Sequence, residues 1–568
     1  MKMASTHRNE AMSGQERLTR QMTLGQGLHC AERNFGRRVA LVEDHARTTY
    51  RQMCTQVRRL AEHYRSVGVG KGDRVALLLW SGTDFIISFF AAVEIGAVAA
   101  PLPPRLQHKK MLSYLRQLEP TVVVASTKIE IPEGLETLSE LKQEMHCLKE
   151  ILITDLEPEQ GGVFTEILET DATHEGMDQD LAPEDLATIL YTSGTTGESK
   201  GVMHSHRGLI SPVVASMKLR EMWMNFFPTF AKLKRWVRVL IRYGARLLRA
   251  AGRQQVFLST MSMHTISGLE AMLQALLMGD RLVIQPRFNP VQSLELIEKE
   301  RVSVLIGVPL SYMTMLRVQD FNRYRLSTLL ICATGAAPCP PDLAREIQRK
   351  FGCAVHVGFG MTELGGGIAA TMLEDSPAHQ AETVGKAMPG MEILIVDEQK
   401  QPLPCGEIGE LACRTDSMML GYYGMPERKV ESPNEDGYFY TGDLAVMDED
   451  GYIRIVGRKK DMIIRGGQNI HPARIENTLM ELPEISEAVI VGVPDNMGIE
   501  RVWAFIIFEN GESLAKSQIV AHCREHLEVY EIPENIQIVD EFPRTSTGKA
   551  QKFKLREAAM EKVGTHER

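Results

Sequence analysis

Residues 191–206 read YTSGTTGESKGVMHSH, a run with chemistry written into its residue types. Gly194 and Gly197 let backbone N–H groups close on a bulky anion without a Cβ in the way. Thr192, Ser193, Thr195 and Thr196 add neutral hydroxyl donors, and Lys200 adds a positive charge. Together they make a phosphate cradle. A Walker A loop places Gly-Lys-Ser/Thr contiguously, whereas here Gly197 and Lys200 stand three apart, so the cradle is of another kind. A surface loop with no ligand is the competing reading of any isolated Gly/Thr-rich run.

Such a loop must be held by its neighbours. ATILYT (187–192) has the pattern of a strand running into it. Similar apolar runs are RVALLLW (74–80), TVVVAS (121–126), DRLVIQP (280–286), VSVLIGV (302–308) and TLLICATG (328–335). Apolar residues at consecutive positions suit strands covered on both faces, in parallel or mixed sheets. Helical patterns intervene at 51–67, 269–278 and 341–351, which predicts the α/β class. Past about residue 385 short strands and turns dominate, as in MEILIVDEQKQPL and DEDGYIRIVGR, and a smaller α+β unit begins near 461. The expected organisation is a large N-terminal domain of mixed parallel sheets with a β-rich subdomain, 1–459, followed by a small α+β domain, 460–568.

Whole-chain properties exclude several function classes. A formal net charge of −9 argues against a general nucleic-acid binder. The nine cysteines show no C-x-x-C and no zinc-ligand spacing, which suits a reducing compartment without disulfides or structural metal. The polar N-terminus lacks the apolar stretch of a secretion signal. FIISFFAAVEIGAVAAPL (85–102) approaches the length of a membrane span, but Glu94 lies inside it, and a charge at bilayer depth is expensive. A buried helix running into a buried strand fits better, and the expected location is cytoplasmic.

Further motifs follow the loop in order: ATGAAP (333–338), GFGMTE (358–363), YFYTGDLAVMDEDGYIRIVGRKKDMIIRGGQNIHPARIE (438–476) and PRTSTGKAQKFKLRE (543–557). With YTSGTTGESKG, they resemble the signatures of the adenylate-forming superfamily, which includes acyl-CoA synthetases, the adenylation domains of peptide synthetases, and luciferases. The resemblance covers roughly residues 25–560. It implies an ATP- and Mg²⁺-dependent ligase that turns a carboxylic acid into an acyl-adenylate and passes the acyl group to coenzyme A.

The same resemblance assigns roles by position. Thr192, Thr196 and Lys200 would hold the departing pyrophosphate, with Ser193, Gly194, Thr195 and Gly197 completing the loop. Gly335, Ala336 and Ala337, with Gly358, Phe359, Gly360, Met361 and Thr362, would bind adenine; the ring of Phe359, flanked by glycines, can lie against a purine face. Glu363 is a hard oxygen donor suited to Mg²⁺, which Thr196 would share. Asp443 can accept from two ribose hydroxyls, and Arg458 can reach the sugar or the α-phosphate. Lys549 would bridge substrate carboxylate and α-phosphate, where a mobile cation offsets the meeting of two anions. No protein nucleophile is needed, because the acid's own carboxylate attacks. His264, in MSMHTISGLEAMLQALLMGDRLVIQPRF (261–288), would sit near that carboxylate. Ile266, Ser267, Gly268, Gly307, Val308 and Gly365–Gly367 are candidates for the rest of the acyl pocket. Lys460 matches the hinge between domains, and Gly466 and Gly467 match the pantetheine tunnel.

The sequence departs from the family pattern in four places. Phe359 stands where Tyr is usual, Ser199 replaces a loop proline, and Arg474 replaces a common Glu. The fourth departure is a surplus of some 20–25 residues within about 219–254. Residues 218–253 carry ten Lys/Arg and one acidic residue. Arg235, Arg238, Arg242, Arg246, Arg249 and Arg253 recur at helical spacing, opposite Leu233, Trp236, Val237, Leu240, Leu247 and Leu248. Three readings compete: a helix with its apolar face on the core, a cationic helix lying on an anionic membrane, and a contact for an acidic acyl carrier protein.

For the acid, a fatty acid is expected, with an aryl acid as the alternative. For the acceptor, coenzyme A is expected, with an acyl carrier protein as the alternative. Outside enzymes, the alternative is a nucleotide-binding scaffold that has lost catalysis. Retention of Lys549, Glu363 and Asp443 argues against the scaffold.

Overall fold

The computed structural model describes residues 17–131, 133–156, 162–170, 180–192, 200–224, 239, 253–425, 436–465, 468–495, 500–509, 511–545 and 549–565. The chain forms two compact units. One comprises Met1–Ala381, Ala387–Met391 and Thr415–Ser432; the other comprises Glu382–Lys386, Glu392–Arg414 and Pro433–Arg568.

In the first unit two sheets are built mainly from parallel strands. One runs in the order Gly366–Ala370, Ala354–Met361, Ile331–Thr334, Val304–Gly307, Val256–Ser259, Arg281–Ile284, Val39–Glu43, Ala46–Thr49. All its neighbours from Ala354–Met361 to Val39–Glu43 pair in parallel. The other runs Gly421–Tyr422, Lys200–Ser205, Leu186–Thr192, Val98–Pro101, Arg74–Leu78, Val122–Ala125, Glu150–Ile153. The continuous apolar runs arise because both faces of this sheet are covered. Val75, Leu77, Val122 and Val124 face the main core, while Ala76, Leu78, Val123 and Ala125 face a second cluster with helices His108–Leu118 and Gly134–Glu144. Period-two alternation then carries no polarity signal.

The main core joins residues of both sheets with helices Leu24–Phe35, Tyr50–Ser66, Thr83–Glu94 and Ile266–Leu277. Thr23 and Thr49 start the first two through capping boxes with Gln26 and Gln52. Thr83–Glu94 followed by Val98–Pro101 is the buried helix and buried strand read from 85–102, and every residue from Phe85 to Glu94 is buried. Among the described residues no helix is long and apolar enough to cross a membrane.

Glu94 is tolerated in that core because its Oε1 lies 3.1 Å from His29 Nε2. His29 also meets Glu32, which accepts from Arg58 at 2.8 Å. Burial alone would lower the His29 pKa, but hydrogen bonds with Glu32 and Glu94 outweigh it and raise the value to about 9. The folded state therefore holds this proton more tightly than the unfolded chain does. The stabilisation is complete below the unfolded value of about 6.5 and is lost as pH rises through about 9. Urea midpoints measured from about pH 7 to pH 10 should fall in the wild type, and most of that fall should vanish in His29→Gln. An equal fall in both proteins would refute the assignment.

In the second unit, strands Ile408–Thr415, Phe439–Met447 and Ile453–Arg458 pair antiparallel. A three-stranded sheet, Ile485–Pro494, Glu500–Phe508 and Asn535–Ile538, is covered on both faces. Ile490, Val502, Ala504 and Ile506 pack with helices Pro472–Leu479 and Lys516–His526. Val491, Trp503 and Phe505 pack with Leu555 and Ala559 of helix Lys552–Thr565.

Of the basic surplus, Arg220 lies on helix His206–Met224 and pairs with buried Asp280 at 2.7 Å. Its Nη2 donates to the Arg253 carbonyl at 3.2 Å. The arginines from 235 to 249 lie outside the described residues.

Candidate active site

In the first unit several of the sequence-predicted residues gather along the edge of one sheet. His264 follows strand Val256–Ser259, Gly307 and Val308 end or follow Val304–Gly307, and Gly335–Ala337 follow Ile331–Thr334. These strands are parallel neighbours, so their carboxyl ends lie side by side. The carboxyl edge of a parallel sheet is where α/β folds open a crevice for ligands. Strand Ala354–Met361 runs past the same edge and turns at Thr362–Leu364 into antiparallel Gly366–Ala370.

Close backbone approach explains two of the glycines there. A Cβ on Gly360 would stand 2.1 Å from the Gly366 carbonyl oxygen, and one on Gly335 would stand 3.1 Å from that of Gly358. The ATGAAP and GFGMTE segments therefore lie against each other. Phe359, Met361, Thr362 and Glu363 are half-buried, and Ala336 takes a left-handed φ of 62°.

The phosphate-loop flanks pair antiparallel, with Thr192 opposite Lys200 and the Thr192 hydroxyl 3.4 Å from the Lys200 carbonyl. Ser193, Gly194, Thr195, Thr196 and Gly197 lie outside the described residues. The Lys200 ammonium sits 4.8 Å from the Tyr422 ring centroid. The Tyr422 hydroxyl in turn donates to Glu363 Oε1 at 3.1 Å. Tyr422 thus joins the cradle lysine to the candidate metal carboxylate, a link absent from the sequence reading. Segment 419–423 is fixed on both sides: Met419 N–H donates to the Glu363 carbonyl and Tyr423 N–H to that of Gly201. Glu363 supplies a carboxylate, the donor type Mg²⁺ takes, so the residue fits that ion.

Burial pulls His264 down to about 4, so its imidazole is neutral at pH 7. Its buried Nε2 has no hydrogen-bond partner among the described residues. Helix Ile266–Leu277, capped by Thr265, begins two residues later. Glu270 on that helix accepts from Gly367 N–H at 3.1 Å and from Gln274 at 3.0 Å, and burial raises its pKa to about 7. Glu270 braces the Gly365–Gly367 run; sequence reading missed it, because a Glu within an apolar helix carries no address for its partner.

In the second unit Asp443 and Arg458 face each other on paired strands, with Arg458 Nε donating to Asp443 Oδ1 at 2.9 Å. Burial raises the Asp443 pKa, opposed by Arg458, Lys549 and Lys460. Crowding by protein atoms and then Arg458 lower the pKa of Lys549, although the residue keeps an exposed surface. Burial and Arg458 likewise lower Lys460. Four predicted residues from three separate segments thus form one electrostatic cluster. The Lys549 loop is closed by Thr545 N–H to the Lys549 carbonyl at 2.8 Å and Lys549 N–H to the Thr545 hydroxyl at 3.1 Å. Gly466 and Gly467 lie outside the described residues, between paired Arg465 and Gln468. Arg474, the departure from the usual Glu, pairs with buried Glu531 at 3.3 Å.

Known proteins share the sequence pattern and the fold. The family model of the AMP-binding enzymes matches residues 29–423, and that of the AMP-binding enzyme C-terminal domain matches 474–549. The medium-chain fatty-acid–CoA ligase of Escherichia coli is 30% identical, over 93% of this chain and 88% of that protein. The mitochondrial medium-chain acyl-CoA ligase ACSF2 of Homo sapiens is 29% identical, over 94% of this chain and 87% of its own. The solved structure of ATP-bound MatB from Rhodopseudomonas palustris superposes with a TM-score of 0.79 at 26% identity, covering 95% of this chain and all of MatB.

Fold and site define an adenylate-forming enzyme, an AMP-forming acid–thiol ligase. The chain belongs to the AMP-binding enzyme family.

Proposed function

We propose that the protein activates a fatty acid of medium or longer chain with ATP and passes the acyl group to coenzyme A. The observation that carries the reading is the Lys200–Tyr422–Glu363 chain, which couples a phosphate-loop cation to a metal-type carboxylate. The names of the Escherichia coli and human relatives support an aliphatic acid.

In the first half-reaction the acid's carboxylate oxygen attacks the α-phosphorus and the α–β bridging bond breaks. Thr192, Lys200 and the 193–197 loop hold the leaving pyrophosphate. Glu363, with Thr196, would hold Mg²⁺, which neutralises phosphate oxygens when bound. Asp443 and Arg458 hold the ribose, and Lys549 offsets the charge between carboxylate and α-phosphate. Neutral His264 offers its Nε2, which has no partner among the described residues, to the acid's carboxyl end. In the second half-reaction the thiol attacks the acyl carbon and AMP leaves. Residues from 460 onward turn about Lys460 between the two, bringing the 466–469 segment to the thiol's path. Residues 220–253 hold the enzyme on anionic membrane, where its substrate partitions.

Thioester formation measured across C4–C18 fatty acids, benzoate and 2-aminobenzoate tests the substrate. Fatty acids of roughly C6 and above should exceed both aryl acids by at least tenfold in kcat/KM, about 1.4 kcal/mol. Aryl acids in the lead would overturn this part. Phe359→Ala removes the ring against adenine and should raise the KM for ATP about tenfold, from a stacking loss of roughly 1–1.5 kcal/mol. The KM for the acid should change much less; the reverse pattern would put the ring in the acyl pocket.

A further inference from the structure

Between the motifs that end at 476 and begin at 543, helix Lys516–His526 carries His522 and His526 one turn apart, with ring centroids 4.6 Å apart. Glu481, just after helix Pro472–Leu479, places Oε2 3.5 Å from His522 Nε2. One ligand atom from each of the three side chains lies within 4.8 Å of the others. The two helices are held from beneath, since Ile475, Leu479, Ile519 and Cys523 share one buried cluster. His522 Nε2 also lies 3.0 Å from the Thr478 carbonyl oxygen. A carbonyl only accepts, so this bond fixes the proton on Nε2, orients the ring and leaves Nδ1 as the atom with a free lone pair; the 3.5 Å approach of Glu481 is to the N–H edge, and its carboxylate must swing toward Nδ1 to share an ion. Metal-binding histidines are commonly oriented this way by a backbone carbonyl.

We propose that Glu481, His522 and His526 form a binding site for a divalent transition metal ion, joining the ends of the two helices. Two imidazoles and one carboxylate favour Zn²⁺, Cu²⁺, Ni²⁺ and Co²⁺ over Mg²⁺, which wants oxygen ligands in an octahedron. The site is thus chemically distinct from Glu363. Tetrahedral Zn²⁺ with bonds of about 2.0–2.1 Å sets its ligands roughly 3.3 Å apart. Side-chain rotation of His526 and Glu481, both exposed, supplies the closure needed. Three protein ligands leave the fourth position for water.

The test uses the metal-free full chain, without ATP, titrated with Zn²⁺ by calorimetry and with Co²⁺ by visible absorption. One Zn²⁺ per chain should bind. Affinity should fall at least tenfold in His522→Ala and in His526→Ala, and severalfold in Glu481→Gln. Millimolar Mg²⁺ should not compete. Wild-type Co²⁺ spectra should lack the thiolate charge-transfer band that any of the nine cysteines would give. His526→Cys should bind Co²⁺ and acquire that band while keeping the wild-type circular dichroism spectrum, which excludes a misfolded chain binding Co²⁺ through its other thiols. Absence of Zn²⁺ binding by the wild type would overturn the proposal, as would undiminished binding in the His522→Ala/His526→Ala double variant.

Discussion

Lys549→Ala should lower the rate of acyl-adenylate formation by about 10³, the scale of losing one preorganised transition-state charge partner. Thioester formation from pre-made acyl-adenylate should stay within about twofold, because by then the α-phosphate has already been attacked. The lysine sits in a cluster with Asp443, Arg458 and Lys460, and its pKa is lowered by crowding and by Arg458. In the proposed mechanism it acts as a cation, so adenylation should decline as pH rises through that lowered value. Lys549→Arg keeps the charge and does not titrate in this range. It should recover part of the rate and lose the alkaline decline. Equal damage to both half-reactions in Lys549→Ala would defeat the division of labour.

Replacing Arg238, Arg242, Arg246 and Arg249 together with Gln should abolish attachment to anionic vesicles. Each arginine near such a surface contributes on the order of 1 kcal/mol, so four removed charges amount to roughly a 10³-fold loss of affinity. Wild-type binding should weaken with salt, because a surface potential is screened within a Debye length of about 10 Å at 0.1 M. Activity on a short soluble acid should survive, since no ATP-site residue is touched. Activity on vesicle-borne long-chain acids should drop. Vesicle binding unchanged in the quadruple variant would rule out the membrane role. An unfolded variant would assign the arginines to the core instead.

Much of the fold was legible because its signals are local. The both-faced strands announced themselves as apolar runs, and the helix and strand at 85–102 were read from one uncharged stretch interrupted by Glu94. The partner that makes Glu94 tolerable was not legible. His29 stands 65 positions away, and nothing in its neighbours says where it points. The site divides the same way. Thr192, Lys200, Asp443, Arg458 and Lys549 occupy motifs that resemble the family's signatures, and the roles proposed for them follow from that resemblance. Tyr422 and Glu270 act through long-range contacts, Tyr422 to Lys200 and Glu363 and Glu270 to Gly367, so only folding reveals them. The β-rich texture after residue 385 was visible too. That 392–414 forms a compact unit with the C-terminal residues depends on strand pairing, which composition does not encode.

The central claim is that this site joins a carboxylic acid to AMP, and exchange of labelled pyrophosphate into ATP in the absence of any thiol measures that step alone. The wild-type chain should catalyse exchange that requires both Mg²⁺ and a fatty acid, and Lys549→Ala should not. Exchange that proceeds without an acid, or no exchange with any acid across the C4–C18 range, would contradict the account.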